Sequence, residues 1–410
     1  MLSPLDPGGV RRATIGRGTY LVVQGGTSVA GFAVLARLLD PAQLGAAALA
    51  LAIVVSAQVL GDLGLAQLTT VEGPQALAQG VDEHRRLERA VGELFCAGAL
   101  VAALAVVVTS LFVPAAARPA TLAAAPAAAA AVVTSGAESL RRASGDVWTP
   151  VRLAVLSRGP FFLALPLVAW RPEAMWAMIV FSACSVLGSL PAAMIIRRAL
   201  SGPRADEVRR RLMRGAVANG FVGICIAAAT RGNVVMLASA GGLLAVAQFE
   251  AAWRGFQPGV YVAGALGTAA TPYVAVAEPS AAAAITRRGV RACAGFGLAG
   301  GAALALLAPL VARLLYAASD PVVIDCLRIL AAVLPVTLVG FYVQTAVLLP
   351  HRAFGSLIGA GVTLVVVTLG LTAWFGQDAR GCASALAIGQ VAYLAAIGAG
   401  VLRLRSAAAA

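Results

Sequence analysis

The chain has 410 residues, of which 60% are hydrophobic and 12% charged, and its net charge is +13 at pH 7. A soluble domain carries roughly 25% charged residues, so this composition excludes a soluble globular protein and indicates a membrane protein. The positive charge does not indicate nucleic-acid binding, because the arginines lie in short loops beside apolar segments and lack interleaved aromatic residues.

Apolar segments that are long enough to cross a membrane recur along the whole chain. A helix of about 20 apolar residues spans a hydrocarbon core of about 30 Å. We predict twelve spans, at residues 18–39, 42–62, 91–113, 119–137, 151–170, 174–196, 213–240, 243–272, 290–313, 324–349, 354–375 and 381–402. The weakest is 119–137, because alanine contributes little transfer free energy and Pro126 interrupts it.

The distribution of arginine predicts the topology. All 31 basic residues are arginine. With a cytoplasmic N-terminus, 22 of them lie in inner loops or at the inner ends of spans, six in outer loops or at the outer ends of spans, and three deep inside spans. This bias follows the positive-inside rule and predicts that both termini are cytoplasmic. The arginine-rich segment 197–214 separates the spans six and six. We therefore predict an N-terminal half at 1–200, a basic cytoplasmic linker at 201–214 and a C-terminal half at 215–410.

The sequence contains no pattern of an enzyme or a metal site. Its six cysteines are scattered singly, without CxxC spacing or a nearby histidine, so we interpret them as core residues rather than metal ligands or disulfides. The acidic residues of the predicted outer loops are isolated from one another, and no acid and base pair emerges. We expect neither enzymatic activity nor a bound cofactor.

Three charged residues lie deep in predicted spans. Counted at 1.5 Å per residue from the outer turn, Arg231 lies at roughly 13 Å depth, Glu250 at about 10 Å and Arg254 at about 16 Å. Glu250 and Arg254 are spaced i, i+4 and share one helix face. Charge at this depth is costly unless it is paired or faces water, so these residues form a functional hypothesis. The alternative is a buried ion pair that only locks the C-terminal half.

Three further residues are candidates for contacting substrate or a coupling ion, and each also has a purely structural explanation. Arg158 lies about 10 Å from the predicted inner face, where it either contacts substrate or extends toward the cytoplasm. Arg37 either anchors the outer end of span 1 at the head groups or receives an anionic group of the substrate. Asp62 either binds a coupling ion or caps the inner end of span 2. Asp40 and Pro41 more simply end one helix and start the next.

Three stretches resemble a known superfamily. VLARLLDPAQLGAAALALAIVVSAQVLGDLGLAQ (34–67) resembles the first helical hairpin of the polysaccharide exporters in the multidrug/oligosaccharidyl-lipid/polysaccharide (MOP) superfamily. Residues 230–275 are similar to the second hairpin, and LLYAASDPVVIDCLRILAAVLP (314–335) to the junction of spans nine and ten. The sequence departs from the pattern at Thr230, where an acidic residue often precedes Arg231, and at Asp40, where glycine is common.

The resemblance implies a fold like that of the MATE transporters, all-α and polytopic, with about twelve helices in two six-helix bundles around a central cavity. It implies a flippase that moves a polyprenyl-diphosphate-linked saccharide from the inner to the outer leaflet of a bacterial inner membrane, alongside a polysaccharide polymerase and glycosyltransferases. In that reading Arg231, Arg254, Arg158 and Arg37 contact substrate. Glu250 and Asp62 are the candidates for a coupling H⁺ or Na⁺.

Two other functions remain open. A multidrug antiporter of the same superfamily would carry organic cations and so would need surplus negative charge in its binding region. Arg158, Arg231 and Arg254 against Glu250 instead leave two surplus positive charges, which favours an anionic diphosphate. A non-transporting scaffold of a polysaccharide assembly complex would need no buried charge.

Overall fold

The computed structural model describes residues 7–276, 278–316, 319–351 and 353–409, and within these ranges it contains helices and no strand. The predicted all-α class is confirmed. The helices are α1 (Pro7–Leu38), α2 (Pro41–Asp62), α3 (Leu65–Gln79), α4 (Val81–Ser110), α5 (Arg118–Ala123), α6 (Ala125–Ala143), α7 (Trp148–Leu163), α8 (Leu165–Trp170), α9 (Ala174–Gly188), α10 (Leu190–Leu200), α11 (Asp206–Ala227), α12 (Asn233–Ala240), α13 (Gly242–Val276), α14 (Pro279–Leu306), α15 (Ala308–Tyr316), α16 (Pro321–Val343), α17 (Phe354–Phe375) and α18 (Ala379–Ala409). Two π-helical turns, π1 (Ala228–Gly232) and π2 (Gln344–Leu348), continue α11 and α16.

Ten helical segments of the described chain are long and apolar enough to cross a membrane. The pair α9 and α10, bent by 45° at Ser189, adds an eleventh. Pro191 lies in the first turn of α10, where its missing N–H costs nothing, so the apolar run continues across the bend. The predicted span 243–272 lies on α13, which is continuous over 35 residues.

Residues 63–90, between the predicted second and third spans, form helices with breaks at 63–64 and at Gly80, rather than a loop. Leu63 and Gly64 have positive φ angles of 47° and 74°, and this break redirects the chain from α2 into α3. Gly80, with φ 138°, separates α3 from α4. The start of α4 is highly charged, but its His84 and Leu87 are buried. The segment is therefore an amphipathic extension of a span, which a search for apolar runs cannot detect.

The turn between α1 and α2 agrees with its sequence. Asp40 Oδ1 accepts hydrogen bonds from the backbone N–H groups of Ala42 and Gln43, each at 2.9 Å. Pro41 occupies the first position of α2, where its missing N–H costs nothing. Asp40 is therefore the N-cap of α2.

The chain forms two compact units. Unit 1 comprises the described residues up to Thr27 together with Ala46–Ala227. Unit 2 comprises Ser28–Gly45 and the described chain from Ala228 onward. Residues 201–205 of the predicted linker form a turn, and its remainder is the first part of α11, within unit 1.

Candidate functional site

The three deep charges of the C-terminal part come together in unit 2. Arg231 Nη1 lies 2.7 Å from Glu250 Oε1. Arg254 Nε lies 3.5 Å from Glu250 Oε2, one helical turn along α13. One carboxylate is therefore shared by two guanidinium groups. All three side chains are buried, and Glu250 is 0% exposed. We call these residues the arginine cluster.

A local change of helix type accompanies Arg231. Arg231 lies in π1, a turn with wider hydrogen-bond spacing than an α-helix. The turn is followed directly by α12, so the span remains continuous while its side chains change register. Single π turns inside α-helices occur frequently at functional sites. The sequence offers no signal for this turn.

Aromatic rings and a hydroxyl complete the surroundings of the arginine cluster. The Arg231 guanidinium carbon lies 5.3 Å from the centroid of the Trp253 ring, and that of Arg254 lies 5.8 Å from the Phe32 ring. Such cation–π contacts strengthen when water is excluded. Arg254 Nη1 also donates a hydrogen bond to Ser28 Oγ. Ser28 and Phe32 come from a helix distant in sequence, and Trp253 resembles an ordinary core residue, so no sequence pattern marks these three residues.

The arginine cluster carries surplus positive charge. Two arginines face one glutamate, so the cluster has one positive charge that no carboxylate inside it balances. Translocon scales assign about 2.5 to 3.5 kcal/mol to a single arginine at the centre of a spanning helix. Hydrogen bonds and aromatic contacts reduce that cost without neutralising the charge. The cluster is therefore chemically suited to an additional anion.

Arg158 lies in unit 1. Its Nη1 donates a hydrogen bond to the backbone carbonyl of Gln24 at 2.8 Å. Among the residues that the structure describes, no carboxylate lies within 4.0 Å of it. Arg158 is half-buried. Its charge is thus held by a neutral acceptor, which leaves the guanidinium available to a stronger one.

Asp62 joins α2, α3 and α6 within unit 1. Its Oδ1 accepts the N–H of Ala66 at 2.9 Å, and its Oδ2 accepts the hydroxyl of Ser135 at 2.8 Å. The first contact caps the opening turn of α3. The predicted structural alternative for Asp62, a helix cap, thus has a geometric basis, although the helix it caps is α3.

A second charged group in unit 1 was not found from the sequence. Glu138 Oε2 accepts hydrogen bonds from the Tyr20 hydroxyl and from Arg142 Nη2, both at 2.7 Å. Arg142 also lies over the Tyr20 ring, 5.0 Å from its centroid. Glu138 is buried. The i, i+4 spacing of Glu138 and Arg142 on an alanine-rich span was the one available signal.

Arg37 is bound by backbone carbonyls. It lies in the last turn of α1, and its Nη1 donates hydrogen bonds to the carbonyl oxygens of Ala33 and Leu314. A cation in the last turn of a helix interacts favourably with the helix dipole. Arg37 is exposed and lies apart from the contacts of the arginine cluster.

Comparison with known proteins identifies the fold. Neither protein-family models nor curated proteins give a match. Among solved structures, the chain is similar to one described as the inward-facing conformation of a multidrug resistance MATE family transporter of the MOP superfamily, with 16% identity, a TM-score of 0.75 and coverage of 96% of this chain and 98% of that one. An outward-facing structure with the same family description has 18% identity, a TM-score of 0.68 and coverage of 97% and 96%.

A third solved structure is a MOP superfamily transporter from Pyrococcus furiosus, with 18% identity, a TM-score of 0.71 and coverage of 97% of this chain and 96% of that one. Its description says that the reverse polarity of its binding pocket suggests a different function. At these identities the likeness establishes the fold. The chain is a multi-pass membrane protein with the fold of MATE family transporters.

Proposed function

We propose that this protein is a membrane transporter that moves a lipid-linked saccharide, attached through a diphosphate, from the inner to the outer leaflet by alternating access. The observation that carries the proposal is the arginine cluster, in which two buried guanidinium groups share one carboxylate. A diphosphate presents several anionic oxygens, and guanidinium groups bind such oxygens in a bidentate manner. Arg231 and Arg254 are the proposed diphosphate ligands.

The burial of the arginine cluster fits a transporter that changes conformation better than a protein with a permanently open binding site. Glu250 is 0% exposed and Arg254 is 5% exposed, so an anion reaches them only after the surrounding helices rearrange. Alternating access supplies such a rearrangement, because the site opens to one side at a time. In this scheme Glu250 holds the two guanidinium groups when no substrate is bound, and the diphosphate competes with it.

A multidrug exporter is the second candidate, because two of the similar solved structures are described as multidrug resistance transporters. An organic cation would meet surplus positive charge at the arginine cluster, and the like charges would repel. The Pyrococcus furiosus structure, whose description links the polarity of its pocket to a different function, makes charge a relevant criterion. The charge of the cluster therefore favours an anionic substrate. A scaffold without transport would have no use for buried charge.

The proposal also covers the membrane, the partner enzymes, the coupling ion and the roles of Arg158 and Arg37. We place the protein in a bacterial inner membrane with both termini cytoplasmic, where glycosyltransferases supply the substrate and a polymerase consumes it. Asp62 and Glu250 are the proposed sites for a coupling H⁺ or Na⁺. Arg158, held by a neutral carbonyl, is a proposed substrate contact in unit 1. Arg37, with its two carbonyl partners, is proposed as the outer anchor of α1 rather than a substrate contact.

The proposal is tested by export in cells that lack their own copy of the transporter. Arg231→Gln and Arg254→Gln should each abolish the appearance of the saccharide polymer on the outer surface, while the protein still accumulates in the membrane. Lysine at either position should retain part of the activity, because it keeps the charge but loses the bidentate geometry. Arg380→Gln is the matched control, since Arg380 pairs with Asp325 at an exposed position of unit 2. Normal export by both glutamine variants would overturn the proposal.

A further inference from the structure

The polar face of α13 extends beyond the arginine cluster. Glu250, Trp253, Arg254 and Gln257 are spaced i, i+3, i+4 and i+7, so they lie on one face of the helix. Glu250 and Arg254 belong to the ion pairs already described. Trp253 and Gln257 have no charge to contribute and would pass for ordinary lipid-facing or core residues in the sequence.

Trp253 and Gln257 carry polar atoms with no partner among the described residues. The indole Nε1 of Trp253 and the side-chain Oε1 of Gln257 are both inaccessible to solvent and accept or donate no hydrogen bond there. Trp253 is 6% exposed. Leaving such an atom unpaired in a buried site is costly, whereas an apolar side chain of similar shape would avoid the cost. A ligand that pairs with both atoms would account for their presence.

The hydrogen-bonding properties of the two atoms limit which classes of ligand can pair with both. Indole Nε1–H is a donor only, and the side-chain Oε1 of glutamine is an acceptor. A metal cation would bind the glutamine oxygen but repel the indole N–H. A phosphate would accept a hydrogen bond from the indole N–H but repel the glutamine oxygen. Hydroxyl groups accept and donate at once, so neighbouring hydroxyls satisfy both atoms. Residues at i and i+4 have Cβ atoms about 5 to 6 Å apart, which suits two hydroxyls of one sugar ring.

We propose that Trp253 and Gln257 form a sugar subsite that binds hydroxyls of the saccharide unit next to the diphosphate. The proposal rests on the proposed function, because it takes Arg254 as a diphosphate ligand one residue from Trp253. Arg231 covers one face of the Trp253 ring. The proposed contact uses the edge of the indole, because its N–H is the atom without a partner among the described residues.

The test distinguishes binding of the sugar from binding of the phosphate. Purified full-length protein is titrated calorimetrically with inorganic phosphate and with the 1-phosphates of glucose, galactose, mannose and N-acetylglucosamine. At least one sugar phosphate should bind more tightly than inorganic phosphate, by about three- to tenfold per hydrogen bond. Trp253→Phe removes only the N–H and keeps the ring, and Gln257→Met removes the amide at nearly constant volume. Each should reduce the advantage of the sugar phosphate and leave phosphate affinity unchanged.

Gln390→Met is the matched control. Gln390 lies on α18, is buried, and also has an Oε1 with no partner among the described residues. Its replacement should leave the sugar advantage intact. If no sugar phosphate exceeds inorganic phosphate, or if the advantage survives Trp253→Phe and Gln257→Met, water rather than sugar satisfies these atoms and the inference is overturned while phosphate binding stands. Absence of binding by phosphate and by every sugar phosphate would overturn the proposed function as well.

Discussion

Arg231 and Glu250 form an ion pair at 2.7 Å between π1 and α13, and both side chains are buried. The pair joins two helical segments of unit 2 that are separated by α12, and Arg254 also contacts the Glu250 carboxylate. Removing one partner from such an arrangement leaves a buried charge without compensation, which is more harmful than removing the pair. The stability of the protein should therefore depend on the balance of the cluster rather than on any single residue.

Glu250→Gln should lower the thermal stability of the purified protein markedly. Loss of one partner from a buried pair typically costs about 3 to 5 kcal/mol, and here two guanidinium groups lose the same carboxylate. The double change Glu250→Gln with Arg231→Gln should recover part of the loss, because one surplus charge is removed. The exposed pair Asp325 and Arg380 serves as control, since surface pairs contribute about 0 to 1 kcal/mol. Equal melting temperatures for Glu250→Gln and the native protein would contradict this expectation.

An anion should replace the missing carboxylate. If the cluster binds diphosphate, inorganic pyrophosphate should raise the melting temperature of Glu250→Gln more than that of the native protein, because it meets no competing carboxylate in the variant. Stabilisation by a ligand that binds only the folded state grows with its concentration over its Kd. The measurement is a thermal unfolding series with increasing pyrophosphate. Sodium chloride at equal ionic strength controls for screening by salt. A larger effect on the native protein would speak against competition between the anion and Glu250.

The register set by π1 should be necessary for the cluster. Deleting Gly232, the last residue of this turn, rotates Arg231 by about 100° relative to α12 within unit 2. Arg231 would then no longer face Glu250 unless the packing of α12 changed. We expect the deletion to destabilise the native protein and to cost much less in an Arg231→Gln background, measured as a double-mutant cycle of thermal stability. Equal costs in both backgrounds would show that π1 does not position Arg231.

Close helix packing in unit 1 should depend on two glycines. A Cβ atom added at Gly98 of α4 would overlap the carbonyl oxygen of Gly61 in α2, and one at Gly61 would overlap that of Gly98. Small residues at such crossings allow the backbones to approach. Gly98→Ala should therefore cost about 1 to 3 kcal/mol of stability. Gly359→Ala, within α17 where nothing lies near the added atom, should be neutral or stabilising. Similar melting temperatures for the two variants would contradict this reading.

Short-range patterns in the sequence predict where helices begin and end and which residues share a helix face. Asp40 and Pro41 mark the boundary between α1 and α2 because capping uses neighbouring residues. The i, i+4 spacing places Glu250 and Arg254 on one face of α13 without any tertiary information. The charged start of α4 is not predicted as a helix, because a search for apolar runs passes over an amphipathic segment.

The rest of the candidate site depends on contacts distant in sequence. Ser28 approaches Arg254 from a helix 226 residues earlier, and Tyr20 approaches Glu138 across 118 residues. A single sequence contains no pairing information at such separations. The π1 turn is also invisible, because its residues, AATRG, have no distinctive composition. These features follow from tertiary packing, which overrides local preference.

The topology is tested with cysteines that flank the spans. The arginine bias places residues 201–205 inside and the turn between α17 and α18 outside. Ser201 and Gln377 are exposed in these two turns. In intact cells a membrane-impermeant maleimide should label Gln377→Cys at once, and Ser201→Cys only after the cells are permeabilised. The background variant replaces Cys96, the one exposed cysteine among the six, with serine. Labelling of Ser201→Cys in intact cells would invert the predicted orientation and place the arginine-rich segment outside, against the electrostatic preference that predicts it.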